Sequence, residues 1–221
     1  MQMWVAKTRI VKKQNWRITV VGLLLALGFF SLPFGTWINA SANLVHMISY
    51  ELIIWGFVAV ILLYVARVEQ RPLSSIGFRV PKIKDGIIAV AAGILILVCL
   101  ALVYYVVFPA LHWNENQQMS SLSSIPYWLN FLIVVRAAVA EEILFRGYAM
   151  ERLEELSGSR TAAGVVSCTV FTFDHIGFWG WHHVFIAGLA GAVLTLLYIW
   201  RRNLWVNMIA HFIVDGAAFL L

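Results

Sequence analysis

Two adjacent glutamates and an arginine lie inside an apolar stretch of the sequence, AVAEEILFRGY at residues 138–148. A charged side chain at the centre of a bilayer costs about 2.5–3.5 kcal/mol even on the lenient insertion scale, so these three charges require compensation. At about 100° per residue, Glu142 and Arg146 lie on one face of a helix and can form an ion pair. Glu141 points away from that pair, which leaves its carboxylate available for acid–base chemistry.

Two later apolar segments, FTFDH and HFIVD, carry histidines. Phe171 and His175 are four residues apart, as are His211 and Asp215, so each pair shares a helix face. A carboxylate within reach of an imidazole orients the ring and stabilises its charged form. If the fourth, fifth and seventh predicted helices pack together, the ionisable groups of these segments and Glu141 converge on one buried polar pocket.

The composition indicates that membrane helices carry these residues. Of the 221 residues, 62% are hydrophobic and only 12% are charged, whereas a soluble domain has about 25% charged residues. Apolar runs recur that are long enough, or nearly so, to cross about 30 Å of hydrocarbon. The sequence therefore predicts an all-α fold, a polytopic transmembrane helical bundle of about seven helices (seven or eight).

The distribution of Lys and Arg predicts the orientation of this bundle. These residues fall in alternate connections between the apolar runs, which by the positive-inside rule places the N-terminus in the cytoplasm. Topology thus explains the net charge of +5, and no nucleic-acid partner is predicted. We expect an integral, multi-pass protein of a prokaryotic plasma (inner) membrane, with the lipid bilayer as a partner. The predicted spans are 17–34, 44–66, 86–110, 127–152, 160–181, 184–200 and 203–220.

The ionisable residues divide the chain into two parts. Nearly all intramembrane charges and histidines follow residue 127. We therefore interpret residues 1–221 as a single membrane domain, with scaffold helices in 1–126 and catalytic helices in 127–221. His46 and Glu51 are exceptions near the outer end of the second span, and we interpret them as snorkelling or facing an outer cavity.

The predicted depth of His175 in the membrane differs most from the depths of the other pocket residues. At 1.5 Å per residue from the cytoplasmic ends of the spans, Glu141 lies about 17 Å deep, His211 about 12 Å and His175 about 22 Å. The fifth helix must therefore start later, tilt, or break near Gly177.

Two further features concern the wall of the predicted pocket. Arg136 lies about 1.5 turns outward of the paired glutamates, and we expect it to pair with Asp174 or Asp215. Gly188 and Gly191 in FIAGLAG are small residues that let helices approach closely, so we interpret them as packing positions.

The three motifs, taken in order, resemble a known family. EEILFR fits EExxxR, FTFDH fits FxxxH and HFIVD fits Hxxx[ND], all on late membrane helices, and RPLSSIGFR before the third span is similar to the family's cytoplasmic segment. This pattern resembles the CPBP family of CAAX prenyl proteases and bacteriocin-processing intramembrane proteases. The resemblance covers about residues 70–221 and implies an intramembrane endopeptidase. Its substrate would be a peptide or protein, membrane-embedded or lipidated.

The resemblance also implies a role for each motif residue. Glu141, assisted by His175, would activate the attacking water. His211 and Asp215 would bind the tetrahedral oxyanion or position the substrate. The CAAX-processing members carry Asn at the position of Asp215, so the resemblance does not specify a prenylated substrate. Supporting roles fall to Glu142, Arg146 and Phe171.

Metal dependence stays open at the level of sequence. Glu141, His175 and His211 could ligate Zn²⁺ with an open position for water. The sequence contains no HExxH element, so its spacing does not favour zinc. We predict no obligatory cofactor, with Zn²⁺ as the alternative.

Two functions from other classes compete with proteolysis. One is a proton-coupled transporter in which Glu141 and the histidines relay protons. The polar residues cluster in one half without a repeated partner half, which disfavours many transporter folds. The other is a catalytically silent membrane scaffold or regulator, which the complete set of motif residues argues against.

Overall fold

The computed structural model describes residues 15–28, 44–113 and 125–221, and helices form the regular structure of these ranges. The predicted all-α helical bundle is confirmed, with seven helices, one additional short α-helix and one short 3-10 helix (Leu73–Ile76) in the part of the chain that is described. The helices are α1 (Trp16–Gly28), α2 (Leu44–Val68), α3 (Ile83–Ala110), α4 (Tyr127–Arg136, continued by Ala137–Met150 and Glu151–Ser157), α5 (Arg160–Asp174), the short α6 (Ile176–Trp179), α7 (His183–Arg201) and α8 (Leu204–Phe219).

Three of the described helices are long and apolar enough to cross a bilayer, namely α2, α3 and α7. Helices α1 and α8 are apolar but shorter. The part of the first predicted span beyond residue 28 lies outside the described residues.

The fifth predicted span, 160–181, is wrong as a single helix. Helix α5 ends at Asp174, and after the short α6 the chain turns at Gly180, whose φ of 83° suits glycine. Of the three alternatives expected for this helix, a later start, a tilt or a break near Gly177, the structure shows a break, which lies directly after Asp174.

Helix α4 is the central element of the bundle. Every residue from 140 to 150 is buried, because α1, α2, α5 and α8 all pack against this segment. The segment Ala137–Met150 makes wide π-helical turns, a geometry that is frequent at functional sites. The buried Ser167 of α5 donates a hydrogen bond of 2.7 Å to the carbonyl oxygen of Phe145. This contact ties α5 to the irregular part of α4.

Ion pairs join the helices at the end of the bundle that carries the basic connections. Arg152 is fully buried and donates to both carboxylate oxygens of Glu69, and the Tyr148 hydroxyl donates to the same carboxylate at 2.8 Å. Arg202 pairs with Glu151, which links the connection between α7 and α8 to α4. Part of the basic charge therefore fixes the helices that carry the motifs.

Candidate active site

Glu141 and His175 come from different helices and face each other across the site. The Oε2 atom of Glu141 lies 4.0 Å from Nε2 of His175. Their side chains are 11% and 22% exposed, so both are largely shielded but remain reachable. Glu141 takes no part in the predicted Glu142–Arg146 ion pair, which is present at 2.9 Å. The local helical geometry therefore separates the roles of the two adjacent glutamates.

The ring of His175 is held in one orientation by its own helix end. Its Nδ1 lies 2.7 Å from the carbonyl oxygen of Phe171. A carbonyl can only accept, so Nδ1 carries the proton, and in the neutral ring the lone pair of Nε2 then faces Glu141. The Phe171 ring lies 4.5 Å from the His175 ring and 4.1 Å from the Arg146 guanidinium carbon. Phe171 thus packs between the two groups.

Glu142 is the hydrogen-bonding centre of the buried part of the site. It is fully buried and accepts from Arg146 Nη1 at 2.9 Å and from Asn207 Nδ2 at 3.1 Å. Its Oε1 also lies 3.0 Å from Nδ1 of His211. Arg146 in turn donates to the carbonyl oxygen of Gly191 at 3.2 Å. The Glu142–Arg146 pair therefore joins α4, α7 and α8, and three of the about four acceptor positions of Glu142 are already occupied.

His211 lies between two carboxylates. Its Nδ1 faces Glu142, and its Nε2 lies 3.4 Å from Oδ2 of Asp215, the contact expected for residues four apart in α8. Asp215 is more exposed than Glu142 and His211, at 19% of its side chain. The structure thus brings the predicted site residues into two neighbouring groups, one around Glu141 and one around His211, with Phe171 packed near both histidines.

The expected partner of Arg136 is wrong. Its Nε lies 3.1 and 3.2 Å from the two carboxylate oxygens of Glu51, and its Nη1 lies 3.6 Å from Oε1 of Glu141. The interpretation of Glu51 as a snorkelling or cavity-facing residue is also wrong, because this side chain is buried and ion-paired. Helix packing brings the second span against α4, and no local sequence pattern reports that contact.

Sequence reasoning missed two other residues of the site. Asn207 lies one turn before His211 on the same face of α8 and donates to Glu142, so the spacing of Asn207, His211 and Asp215 was a usable signal. His183, at the start of α7, stacks on His175 with an interplanar angle of 10° and on Trp179 with an angle of 16°. Its contact depends on the chain turn at Gly180, which the sequence pattern did not resolve.

The described residues do not form a metal ligand set. In the ranges that the structure covers, no three His, Cys, Asp or Glu side chains are grouped so that they could hold a metal ion. Both ring nitrogens of His211 already face carboxylates. Glu141, His175 and His211 therefore do not fit the conditional zinc site, and we treat them as acids, bases and hydrogen-bond donors.

Comparison with known proteins finds a family model that matches the part of the chain carrying this site. Residues 123–217 match the family model described as type II CAAX prenyl endopeptidase Rce1-like. This segment is similar to that family. The Rce1-like segment contains all three motifs and runs from just before α4 to near the end of α8. The similarity to this family and the three long apolar helices together indicate a membrane protein.

One curated relative is similar over part of the chain. The uncharacterized protein YpbD of Bacillus subtilis (strain 168) is 31% identical over 101 residues, which are 46% of this chain and 48% of YpbD. The chain thus spans about half the length of the curated relative it matches. No solved structure matches the chain. The predicted family resemblance is confirmed for the Rce1-like segment.

Proposed function

We propose that the protein is a glutamate-dependent intramembrane endopeptidase that hydrolyses a peptide bond at or within the membrane. The observation that carries this proposal is the 4.0 Å approach of Glu141 Oε2 to His175 Nε2 inside the Rce1-like segment. Two proton acceptors at this distance can share one water molecule, which donates one hydrogen bond to each. Transfer of a proton from that water would leave a hydroxide to attack the carbonyl carbon of the substrate.

His211 supplies the complementary positive charge. Both of its nitrogens face carboxylate oxygens, which accept hydrogen bonds, so a doubly protonated ring fits the site best. The Nε2–Asp215 contact of 3.4 Å is long for a hydrogen bond, so the developing oxyanion can take this donor as it forms. Asp215 orients the ring before this step, and Glu142 keeps its contact with Nδ1 throughout. The proton taken from the attacking water finally passes to the leaving amine, which breaks the C–N bond.

Glu142, Arg146 and Phe171 support these groups. The buried Glu142–Arg146 pair holds His211 from the side opposite Asp215, and Phe171 packs against His175. Removing either charge of the pair would leave the other buried and uncompensated. We therefore assign these residues to the construction of the site.

The substrate is a peptide or protein segment that reaches the membrane, either embedded in it or lipidated. The proposed setting is a multi-pass protein of a prokaryotic plasma membrane with its N-terminus in the cytoplasm. Within it, residues 1–126 act mainly as scaffold and residues 127–221 carry the catalytic helices.

The test uses the purified protein in liposomes with two fluorogenic probes, a farnesylated CAAX peptide and an unprenylated transmembrane-segment peptide. Glu141→Gln keeps the side-chain shape but removes the base, so we expect kcat to fall by about 10²–10⁴-fold. Glu154→Gln, on the same helix but at the ion-paired end, should retain wild-type cleavage. A chelator added to the wild type tests the metalloprotease alternative in the same assay.

The outcome separates the competing functions. Cleavage by the wild type and the Glu154→Gln control, but not by Glu141→Gln, supports the endopeptidase. Equal cleavage by all three folded proteins excludes Glu141 as the base. Absence of cleavage by a folded wild type favours the scaffold, or the transporter if the same liposomes show proton flux that depends on Glu141.

A further inference from the structure

Arg136 lies between two carboxylates that come from different parts of the chain. Glu51 of α2 accepts from Nε of Arg136 through both of its oxygens, at 3.1 and 3.2 Å. On the other side, Nη1 of Arg136 lies 3.6 Å from Oε1 of Glu141. Neither Arg136 nor Glu51 belongs to the three motifs, so the family pattern gives this arrangement no role.

The arrangement is buried, so water screens the interactions between its charges only weakly. Glu51 and Arg136 are 7% and 8% exposed. One cation faces two anions, so the group of three residues carries a net negative charge when all are ionised. The Tyr50 ring lies 5.7 Å from the guanidinium carbon of Arg136 and adds a favourable contact with the cation. A buried arginine of this kind is costly unless its carboxylate partners stay ionised.

The two carboxylates are not equivalent partners of Arg136. Glu51 makes the hydrogen bonds, whereas the contact with Glu141 is longer than a hydrogen bond. The cation therefore attracts the carboxylate of Glu141 without a short hydrogen bond to it. The other oxygen of Glu141, Oε2, is the one that faces His175.

We propose that Arg136 and Glu51 are positioning residues for Glu141. Arg136 attracts the negative charge of the Glu141 carboxylate and keeps this side chain aimed at His175, and Glu51 holds the guanidinium back so that it does not close on Glu141. This inference rests on the proposed role of Glu141 as the base. It extends that role by assigning a function to a residue of the scaffold part of the chain.

Other charged and titratable groups around Glu141 are already engaged. Those on its own helix are Glu142 and Arg146, which pair with each other. His175 faces Glu141 itself and is stacked on His183 of α7. On α8, His211 and Asp215 contact each other. Among the described residues, Glu141 lies within 4.0 Å of two basic side chains. One is His175, and the other is Arg136.

The first arm of the test is kinetic and uses the probe that the wild type cleaves. In Glu51→Gln, the released guanidinium can close on Glu141, and we expect kcat to fall about tenfold or more with KM nearly unchanged. Arg136→Gln should also lower kcat, and Arg136→Lys should restore part of it because the charge returns without the fork of the guanidinium. The matched control is Arg152→Gln, another buried arginine of α4, whose partner Glu69 lies at the ion-paired end. It should lower stability but leave kcat of the folded protein unchanged.

The second arm does not depend on cleavage. A hydrophobic carbodiimide modifies protonated carboxyl groups, and mass spectrometry quantifies the fraction of Glu141 that is labelled. All variants are compared at the pH where half of the wild-type Glu141 is labelled. Arg136→Gln should increase labelling and Glu51→Gln should decrease it, while Glu155, whose side chain is 39% exposed at the ion-paired end, serves as the internal reference. If Arg136→Gln does not fold, the double variant Glu51→Gln/Arg136→Gln replaces it, because it removes the cation and one anion together and should also increase labelling.

The two arms separate the inference from the function on which it rests. Opposite labelling shifts without cleavage by the wild type would overturn the endopeptidase but keep the charge relationship. Cleavage with unchanged labelling and unchanged kcat in the Glu51 and Arg136 variants would overturn the inference and leave the endopeptidase standing. A loss of stability alone, as in Arg152→Gln, would reduce Glu51 and Arg136 to a structural ion pair and would also overturn the inference.

Discussion

The Nδ1 atom of His211 lies 3.0 Å from Oε1 of Glu142, although the two residues are 69 positions apart in the chain. This contact explains why the glutamates of EExxxR occur as a pair. The second glutamate, Glu142, fixes a histidine of another helix, and the first, Glu141, is free of that network and faces His175. The two carboxylates differ in burial and partners, which is how one helix can provide both a support and a candidate base.

The first prediction concerns Glu142 and stability. Glu142→Gln removes the only carboxylate that the structure pairs with the fully buried Arg146 in the described part of the chain. We expect the free energy of unfolding to fall by about 3–5 kcal/mol, because an uncompensated charge stays buried. Thermal unfolding of the detergent-solubilised protein measures this loss.

Glu155→Gln is the matched control for Glu142→Gln. Its carboxylate also contacts arginines, but its side chain is 39% exposed. We expect a loss of about 0–1 kcal/mol, because solvent screens the charge. Equal losses in the two variants would contradict the structural role of Glu142.

The second prediction concerns the glycines of α7. A Cβ atom at Gly191 would lie 2.9 Å from Cδ1 of Phe171, and the Gly191 carbonyl accepts from Arg146. Gly191→Ala should therefore displace Phe171, cost about 1–3 kcal/mol of stability and lower activity. Unfolding and cleavage assays measure the two effects.

Gly188→Ala provides the comparison within the same helix. Its nearest neighbour, Cγ2 of Thr172, lies at 3.4 Å, an ordinary contact. Alanine is the better helix former by about 0.5–1 kcal/mol, so we expect no loss of stability. A greater loss for Gly188→Ala than for Gly191→Ala would argue against the packing described here.

Sequence predicted the parts of the site that depend on one helix. The Glu142–Arg146 and His211–Asp215 contacts follow from four-residue spacing, and both are present. The depth of a single histidine indicated that the fifth helix starts later, tilts or breaks, and a break is present. Contacts between helices were not predictable from the sequence, because they depend on which helix faces pack together. The ion pair between Arg136 and Glu51 is the clearest example. The wide turns of α4 were equally hidden, since the residues of Ala137–Met150 are compatible with an ordinary helix.

The third prediction concerns Asn207, which sequence reasoning missed. Its Nδ2 donates to Oε2 of Glu142 at 3.1 Å and to the carbonyl oxygen of Leu194 at 2.8 Å. Asn207→Leu keeps the branched outline of the side chain but removes both donors, and we expect a loss of about 1–3 kcal/mol. Asn207→Asp should be at least as damaging near neutral pH, because it adds an anion beside Glu142.

The control for Asn207 is Asn203→Ser at the start of α8. The Asn203 side chain accepts from the backbone amide of Trp205, and serine is an equally good capping residue. Chemical or thermal unfolding should therefore show little change. If Asn207→Leu is as stable as Asn203→Ser, Asn207 does not support the site.

The last prediction concerns the contact between α1 and α4. A Cβ atom at Gly22 would lie 1.7 Å from the hydroxyl oxygen of Tyr148 and 2.9 Å from Cε1 of Tyr64. Neither ring can move freely, because Tyr148 donates to Glu69 and Tyr64 donates to the carbonyl oxygen of Ile18. Gly22→Ala should therefore push α1 away from the buried centre of α4, and thermal unfolding should show a loss of about 1–3 kcal/mol or more.

The control is Gly56→Ala, where no atom lies within 4 Å of the added Cβ, and it should be neutral or stabilising in the same unfolding assay. Because Tyr148 and Arg152 share Glu69, protease accessibility of the ion-paired end should increase in Gly22→Ala alone, and unchanged accessibility would show that α1 is not needed to hold α4 in place.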